Sequence, residues 1–256
     1  DRYGGAYYAK LTQCEGLRML HMFLPFDKHF DSGFGAVADS FRYSADALND
    51  NPQGAGLNSH LPISFLYRHA IELYLKSGII LLHRKFSIPY GDTPPDGEPS
   101  VLVKQKRQPL YRVHSLTPLY EEVRSLLAEL AEQLSDVPAT LPEHWLLPKE
   151  LDEWIASIEA TDASSTFFRY PVTKDAERDN QKSTIRRDKV ESMVERMHGD
   201  GPPVKAMLMV NDDGEVVEAY SHDDTQNKDV IATLRQTAEM LHDLHAMMSY
   251  TLVGGR

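Results

Sequence analysis

The run FLYRHAIELYLKSGIILLHR, residues 65–84, constrains the fold of this chain more than any other stretch. It contains no proline and one glycine, and it is apolar around most of its girth. It reads as a helix over about 61–83, with Pro62 in a first turn where a missing N–H costs nothing. At about 100° per residue, Arg68, His69, Glu72 and Lys76 share an arc of about 100°. Leu66, Ala70, Ile71, Leu73, Tyr74, Leu75, Ile79, Leu81 and Leu82 take the rest. A surface helix keeps a broad polar face. This one has room for a narrow slot only, so it needs neighbours on nearly every side. Two readings of the slot stand. In one, Arg68–Glu72–Lys76 is an i,i+4 ladder on a thin solvated edge, where each pair contributes about 0.2–0.5 kcal/mol. In the other, the slot lines a cleft or a dimer seam, and Arg68 and His69 face a partner or an anion.

Those neighbours are present in the sequence. Val37, Phe41, Ala45 and Leu48 fall at helical spacing, and Asn49 to Pro52 end that helix. The segment 114–134 is amphipathic, with Leu119, Val123, Leu126, Leu127, Leu130 and Leu134 in one stripe. A further helix is expected over about 148–160, and a long one follows residue 226 with Val230, Leu234, Ala238, Leu241, Leu244 and Met248 on its apolar side. Residues 86–113 read as a long loop, 164–172 as extended before Pro171, and 174–201 as charged and either mobile or loosely helical. VKAMLMVNDDGEVVEAY holds two β-prone runs around an Asp-Gly turn and predicts a hairpin. The opening stretch to about residue 26 turns apolar enough for a short helix. The expected fold is mainly α: one helical domain over 1–256, its bundle core about 35–160 and 227–252, with a β-hairpin insertion at about 164–222.

Composition narrows the function classes. The 256 residues include 41% apolar side chains, enough for a core without disulfide or metal support. A net charge of −11 argues against a chain that binds nucleic acid over its whole surface, since phosphate contacts need clustered Lys and Arg. Cys14 is the only cysteine, which fits a reducing cytoplasm. No apolar run reaches spanning length, so no membrane is expected as a partner. The sequence carries no secretory signal, and it starts at Asp1 rather than Met, so a preceding N-terminal piece is expected.

RHAIELYLKSGIILL followed after a loop by HSLTPLYEEV resembles the HEPN superfamily of prokaryotic helical bundles. The matching positions are Ala70, Glu72 and Lys76, then His114, Leu116 and Leu119. FRYP at Arg169 and YSADALND in the preceding helix add to the likeness, which covers about residues 35–170. The resemblance implies a four- or five-helix bundle, often a homodimer, with no cofactor. It implies a role in toxin–antitoxin or phage-defence systems, either as a metal-independent ribonuclease or as an inactive module that binds nucleotides or a protein partner. Active members carry Arg, four to six residues, then His near the last bundle helix, paired across a dimer. His moves protons near neutral pH, and Arg offsets phosphate charge. The four-residue spacing is absent here. Arg235 and His242, seven apart on one helix face, are the candidate catalytic pair, and Arg107/His114 is a weaker one. Arg68, His69, Glu72, Lys76, His114 and Arg169 are the candidate binding residues, with Arg68, His69 and His114 expected near the catalytic pair. RNA or a nucleotide, and a protein partner of a defence or antitoxin system, are the expected partners.

Other chemistry has thinner support. Glu-x-x-His occurs at Glu195/His198 and Glu239/His242, and with Glu72 and Glu122 these make the donor set of a di-metal bundle site, but spacing of this kind arises readily by chance and no metal is expected. Cys14 near His21 lacks an activating context. No Gly-x-Ser-x-Gly, phosphate-binding glycine loop or zinc spacing occurs.

Overall fold

A computed structural model of the chain describes residues 25–51, 56–198, 205–223 and 225–255. The expected opening helix, with Cys14 and His21, lies outside these residues. The described part is mainly helical with two small antiparallel sheets. Its helices are α1 (Phe34–Asp50), α2 (His60–Lys85), α3 (Leu116–Glu129), α4 (Ala131–Ser135), α5 (Lys149–Asp162), α6 (Ala176–Gln181), α7 (Val190–His198) and α8 (Thr225–Val253). Its strands are β1 (Ser100–Val103), β2 (Lys106–Pro109), β3 (Ile185–Asp188), β4 (Lys205–Val210) and β5 (Val216–His222).

α2 is the axis. Every residue from Ala70 to His83 is buried, with α1, α8 and α3 packed around it and α5 closing the gap between α3 and α8. The core gathers Ile71, Ile79 and Leu82 of α2, Leu119 and Val123 of α3, Ile155 of α5, and Leu234, Ala238 and Met248 of α8. Polar contacts at successive levels show that α2 and α8 run in the same direction and α1 runs against both: Asp46 meets Tyr67 and Arg235, whereas Asp31, just ahead of α1, meets Ser77 and His245. At its C-terminal end α2 carries Arg84 and Lys85, charges suited to the negative end of the helix dipole.

Several elements depart from expectation. Residues 86–113 are not all loop, because β1 and β2 pair there with Val101 fully buried. Their turn, Lys104–Gln105, has positive φ at both residues, a geometry normally announced by Asn or Gly, and the sequence lacks that announcement. Residues 165–170 are turned rather than extended: Asp162 Oδ1 accepts N–H bonds from Thr166 (2.7 Å) and Phe167 (2.9 Å) and folds the segment back. The charged stretch after 174 is ordered into α6, β3 and α7. The predicted hairpin forms as β4–β5, with Asn211 Oδ1 accepting from Glu215 N at 2.8 Å and Gly214 at φ 80°, and β3 adds to it in the order β3-β5-β4. β3 reads Ile-Arg-Arg-Asp and has no β-prone signal to find. The 114–134 helix is divided at Leu130.

Two helical glycines have opposite surroundings. A Cβ on Gly35 would lie 2.1 Å from His245 Nε2, so glycine is needed for α1 and α8 to approach there. A Cβ on Gly78 would meet Met248 at 3.6 Å and Val123 at 3.7 Å, ordinary contacts. Gly78→Ala is therefore expected to raise stability by roughly 0.5–1 kcal/mol through helix propensity, while Gly35→Ala lowers it. Urea unfolding midpoints of the two variants should move in opposite directions from wild type.

Candidate functional site

α2 carries two polar faces about 180° apart. The first is the predicted slot, and it is closed. Arg68, Glu72 and Lys76 are 0%, 1% and 2% exposed, so neither a solvated edge nor an open groove describes them. Glu72 is the hub. Lys76 Nζ donates to Oε1 at 2.6 Å, Arg68 Nη1 to Oε2 at 3.0 Å, and His114 Nδ1 to Oε1 at 3.0 Å. Arg68 Nη2 also donates to the His114 carbonyl, which pins the chain just ahead of α3. Burial would raise the Glu72 pKa, but the Lys76, Arg68 and His114 groups outweigh it and hold the carboxyl below its ordinary value.

His69 and Arg169 form a neighbouring stack rather than part of this hub. The His69 ring lies parallel to Phe65 with centroids 5.8 Å apart and meets Phe41 edge-on at 4.5 Å, and Arg169 lies 5.2 Å over Phe65. His69 Nδ1 is buried with no hydrogen-bond partner, and burial depresses the ring's pKa. The Arg68–Glu72 hub turns toward the start of α3 and the end of α5, whereas His69 packs against Phe41 of α1.

The second polar face of α2 meets α1 and α8, where carboxylates, hydroxyls and basic groups meet at three levels. At the first, Ser77 Oγ donates to Asp31 Oδ2 at 2.5 Å and His245 Nε2 lies 3.6 Å away. At the second, Tyr74 donates to Asp39 Oδ1 at 2.6 Å and His242 Nδ1 to the same oxygen at 2.8 Å. At the third, Tyr67 donates to Asp46 Oδ1 at 2.6 Å, Arg42 Nη1 approaches Oδ2 at 3.1 Å, and Arg235 Nε stands 3.5 Å from Oδ1. Burial tends to raise the Asp31 pKa, but His245, Ser77 and the Gly35 N–H overcome it and depress the pKa strongly. Burial and the neighbouring carboxylates push the Tyr74 and Tyr67 phenols up, so both remain donors.

Arg235 and His242 thus lie on one seam but on different levels, about 10 Å apart along the axis. Arg68 and His114, expected beside them, sit on the opposite side of α2 toward α3, and His69 packs on Phe41 of α1 away from the seam. A carboxylate can only accept, so His242 Nδ1 carries the proton toward Asp39 and the neutral ring keeps Nε2 as its acceptor. The His242 side chain is 17% exposed and Arg235 is 42% exposed. Tyr43, exposed under Arg42, stands edge-on to His242 at 6.4 Å. Ser77, Asp31 and His245 include the residue types of a hydrolase triad, but Ser77 donates to the carboxylate and not to the imidazole, so no nucleophile is prepared. His114 of the Arg107/His114 pair is held by Glu72, while Arg107 lies 3.6 Å from Glu122. Among the described residues no group of three or more His, Cys, Asp or Glu is placed to hold a metal ion, and the two Glu-x-x-His pairs do not converge. Asp31, Asp39, Asp46, Tyr67 and Tyr74 were not singled out from sequence. The available signal was the shared spacing of seven in Asp39/Asp46, Tyr67/Tyr74 and Arg235/His242.

Compared with protein-family profiles, curated proteins and solved structures, the chain finds no match in any of the three. No helix among the described residues is long and apolar enough to cross a membrane.

Removing one partner of a buried charge pair costs about 3–5 kcal/mol, because the other charge is left uncompensated. Glu72→Gln is expected to lose stability on that scale at neutral pH. Glu72 and Asp31 have folded pKa values below their ordinary 4.5 and 3.8, so their contribution is intact above those values and is lost as pH falls through the depressed ones. The stability gap between wild type and Glu72→Gln, measured by urea unfolding at pH 7 and pH 3, should narrow at the lower pH.

Proposed function

We propose that this chain is a HEPN-like protein of a prokaryotic defence or toxin–antitoxin system that contacts RNA or a nucleotide, acting in the cytoplasm as a homodimer and as a metal-independent ribonuclease. The observation that carries the reading is the Asp39–His242 pair. The carboxylate orients the ring through Nδ1, and Nε2 is left to take a proton from an RNA 2′-hydroxyl and return one to the leaving oxygen. Arg235, on the same helix face, supplies charge for the phosphate, and Tyr43 supplies an exposed ring for base stacking. The long α2 held between α1, α3 and α8 supports the bundle likeness drawn from the Ala70, Glu72, Lys76 and His114 pattern. Glu72 and its partners are assigned a structural part in this reading, since they are saturated and enclosed.

A second reading is favoured by a separate observation. Met207, Leu208, Met209 and Val210 of β4 are all exposed, and a catalytically silent module would dock its defence partner with such a surface.

Cleavage of a fluorescent RNA in the presence of a chelator separates the two. Wild type is expected to cleave, and His242→Ala to fall about 100-fold or more, the contribution of a positioned acid–base group. Asp39→Asn should fall as well with Tyr74 left in place. No cleavage at any protein concentration would favour the silent module. Loss in His114→Ala but not in His242→Ala would move the acid–base role to the Glu72-held imidazole.

A further inference from the structure

α2 and α8 run parallel, so both begin at the same end of the bundle, and a cleft of about 560 Å³ opens there between their first turns and the β3-β5-β4 sheet. Its position is built in. His60 Nε2 bonds the Lys182 carbonyl at 2.8 Å, Thr184 Oγ1 donates to the Leu57 carbonyl at 3.3 Å, and Asp223 N donates to the Thr184 carbonyl at 2.8 Å, which fixes the sheet to the start of α2. Lys205, Lys228, His60 and His222 line the cleft, and among the described residues no carboxylate does, in a chain with 38 acidic residues and a net charge of −11. The side chains of Lys205 and His222 make no hydrogen bond or ion pair among the described residues. Neither α2 nor α8 has an acidic residue in its first turn. Ile63 and Ile231 add apolar wall, and Asn49 and Asn227 add amides able to donate and accept.

We infer that this cleft binds a nucleoside phosphate, with the phosphate against Lys205, His222 and Lys228 and the base between the isoleucines and the asparagine amides. The chemistry follows from the lining. Two lysines and two imidazoles on one cleft favour an anion. The volume lies within the roughly 300–1,000 Å³ of small-molecule sites, larger than a bare ion needs. The apolar wall with two amides suits a flat heterocycle. The larger cleft at Thr161–Arg178 is a poorer candidate: Asp162 and Asp175 line it, and Arg178 is committed to the carbonyls of Ala160 and Thr161 at the end of α5. The assignment rests on the reading that this protein contacts RNA or a nucleotide and names where the phosphate is held. Lys228 and Arg235 are seven apart on α8, and His242 is seven further, so the cleft and the Asp39–His242 pair lie along one side of one helix, about 21 Å from end to end.

The test is calorimetric titration of the full chain with AMP, adenosine, inorganic phosphate and one short RNA carrying either a 5′-phosphate or a 5′-hydroxyl. AMP is expected to bind at least about tenfold tighter than adenosine and inorganic phosphate. Lys205→Ala with His222→Ala should weaken AMP at least about tenfold, a shift in the range expected for loss of charge-assisted contacts. Tighter binding of 5′-phosphorylated RNA than of AMP would assign the cleft to an RNA end, and the reverse to a free nucleotide; either supports the inference. Equal binding of AMP and inorganic phosphate, no binding of any phosphate-bearing probe, or an unchanged AMP affinity in the double variant would overturn it. Circular dichroism checks the fold of the double variant. Lys205→Glu, on an exposed strand position, repeats the test with reversed charge. AMP affinity is read without any cleavage step, so failure of the cleavage reading and failure of the cleft are distinguished.

Discussion

The structure depends on enclosing one helix that carries its own charges. α2 lies in the middle of the bundle, and its polar groups have no water to turn to. Nearly all therefore meet a partner supplied by another helix or by their own next turn, His69 Nδ1 being an exception. Glu72 meets this need for two cations of α2 and for His114 at the head of α3. Asp31, Asp39 and Asp46, from α1 and the turn before it, meet it for Ser77, Tyr74 and Tyr67. Apolar packing supplies most of the driving force, but the carboxylates determine which helices stand next to α2 and at what height. A hydrophobic bundle could slide by a turn; one whose acids must find their hydroxyls cannot do so without leaving buried polar groups unpaired.

The same requirement gives the α1–α8 seam its chemical character. At the level of Ser77 the group brought by α8 is buried with its aspartate. At the levels of Tyr74 and Tyr67 the corresponding groups, His242 and Arg235, reach the surface. A structural contact at one end of the seam thus becomes a solvent-facing imidazole and guanidinium toward the other, using the same bonding pattern. Orientation of His242 by Asp39 costs the site nothing extra, because Asp39 is already required by Tyr74.

The central helix and its neighbours were legible because length and apolar periodicity are local properties. The all-round apolarity of residues 65–84 called for enclosure, and Phe34–Asp50, Leu116–Glu129 and Thr225–Val253 provide it. The closure of the polar slot was not legible. Arg, Glu and Lys at i,i+4 look alike in water and in a core, and only the position of His114 and the turn after Asp162 decides which applies. The β1–β2 turn was hidden because Lys104 and Gln105 adopt left-handed geometry without the residues that favour it. β3 was hidden because its pairing comes from β5 and not from its own Arg-Arg composition. The Asp39–His242 pair joins residues about 200 positions apart, and no pattern within either helix announces it. Its trace was the interval of seven recurring in three separate segments.

That recurrence has a consequence for how such a chain can change. Each level of the α1–α2–α8 seam takes one residue from α2, one from α8 and one from α1 or the turn before it: 31, 77 and 245; 39, 74 and 242; 46, 67 and 235. Loss of an acid strands a hydroxyl and a basic group together, so neutral drift at these nine sites should proceed by triplets. Relatives of this chain should preserve or exchange each trio as a block, and a lone replacement within one should be accompanied by a compensating replacement in another helix.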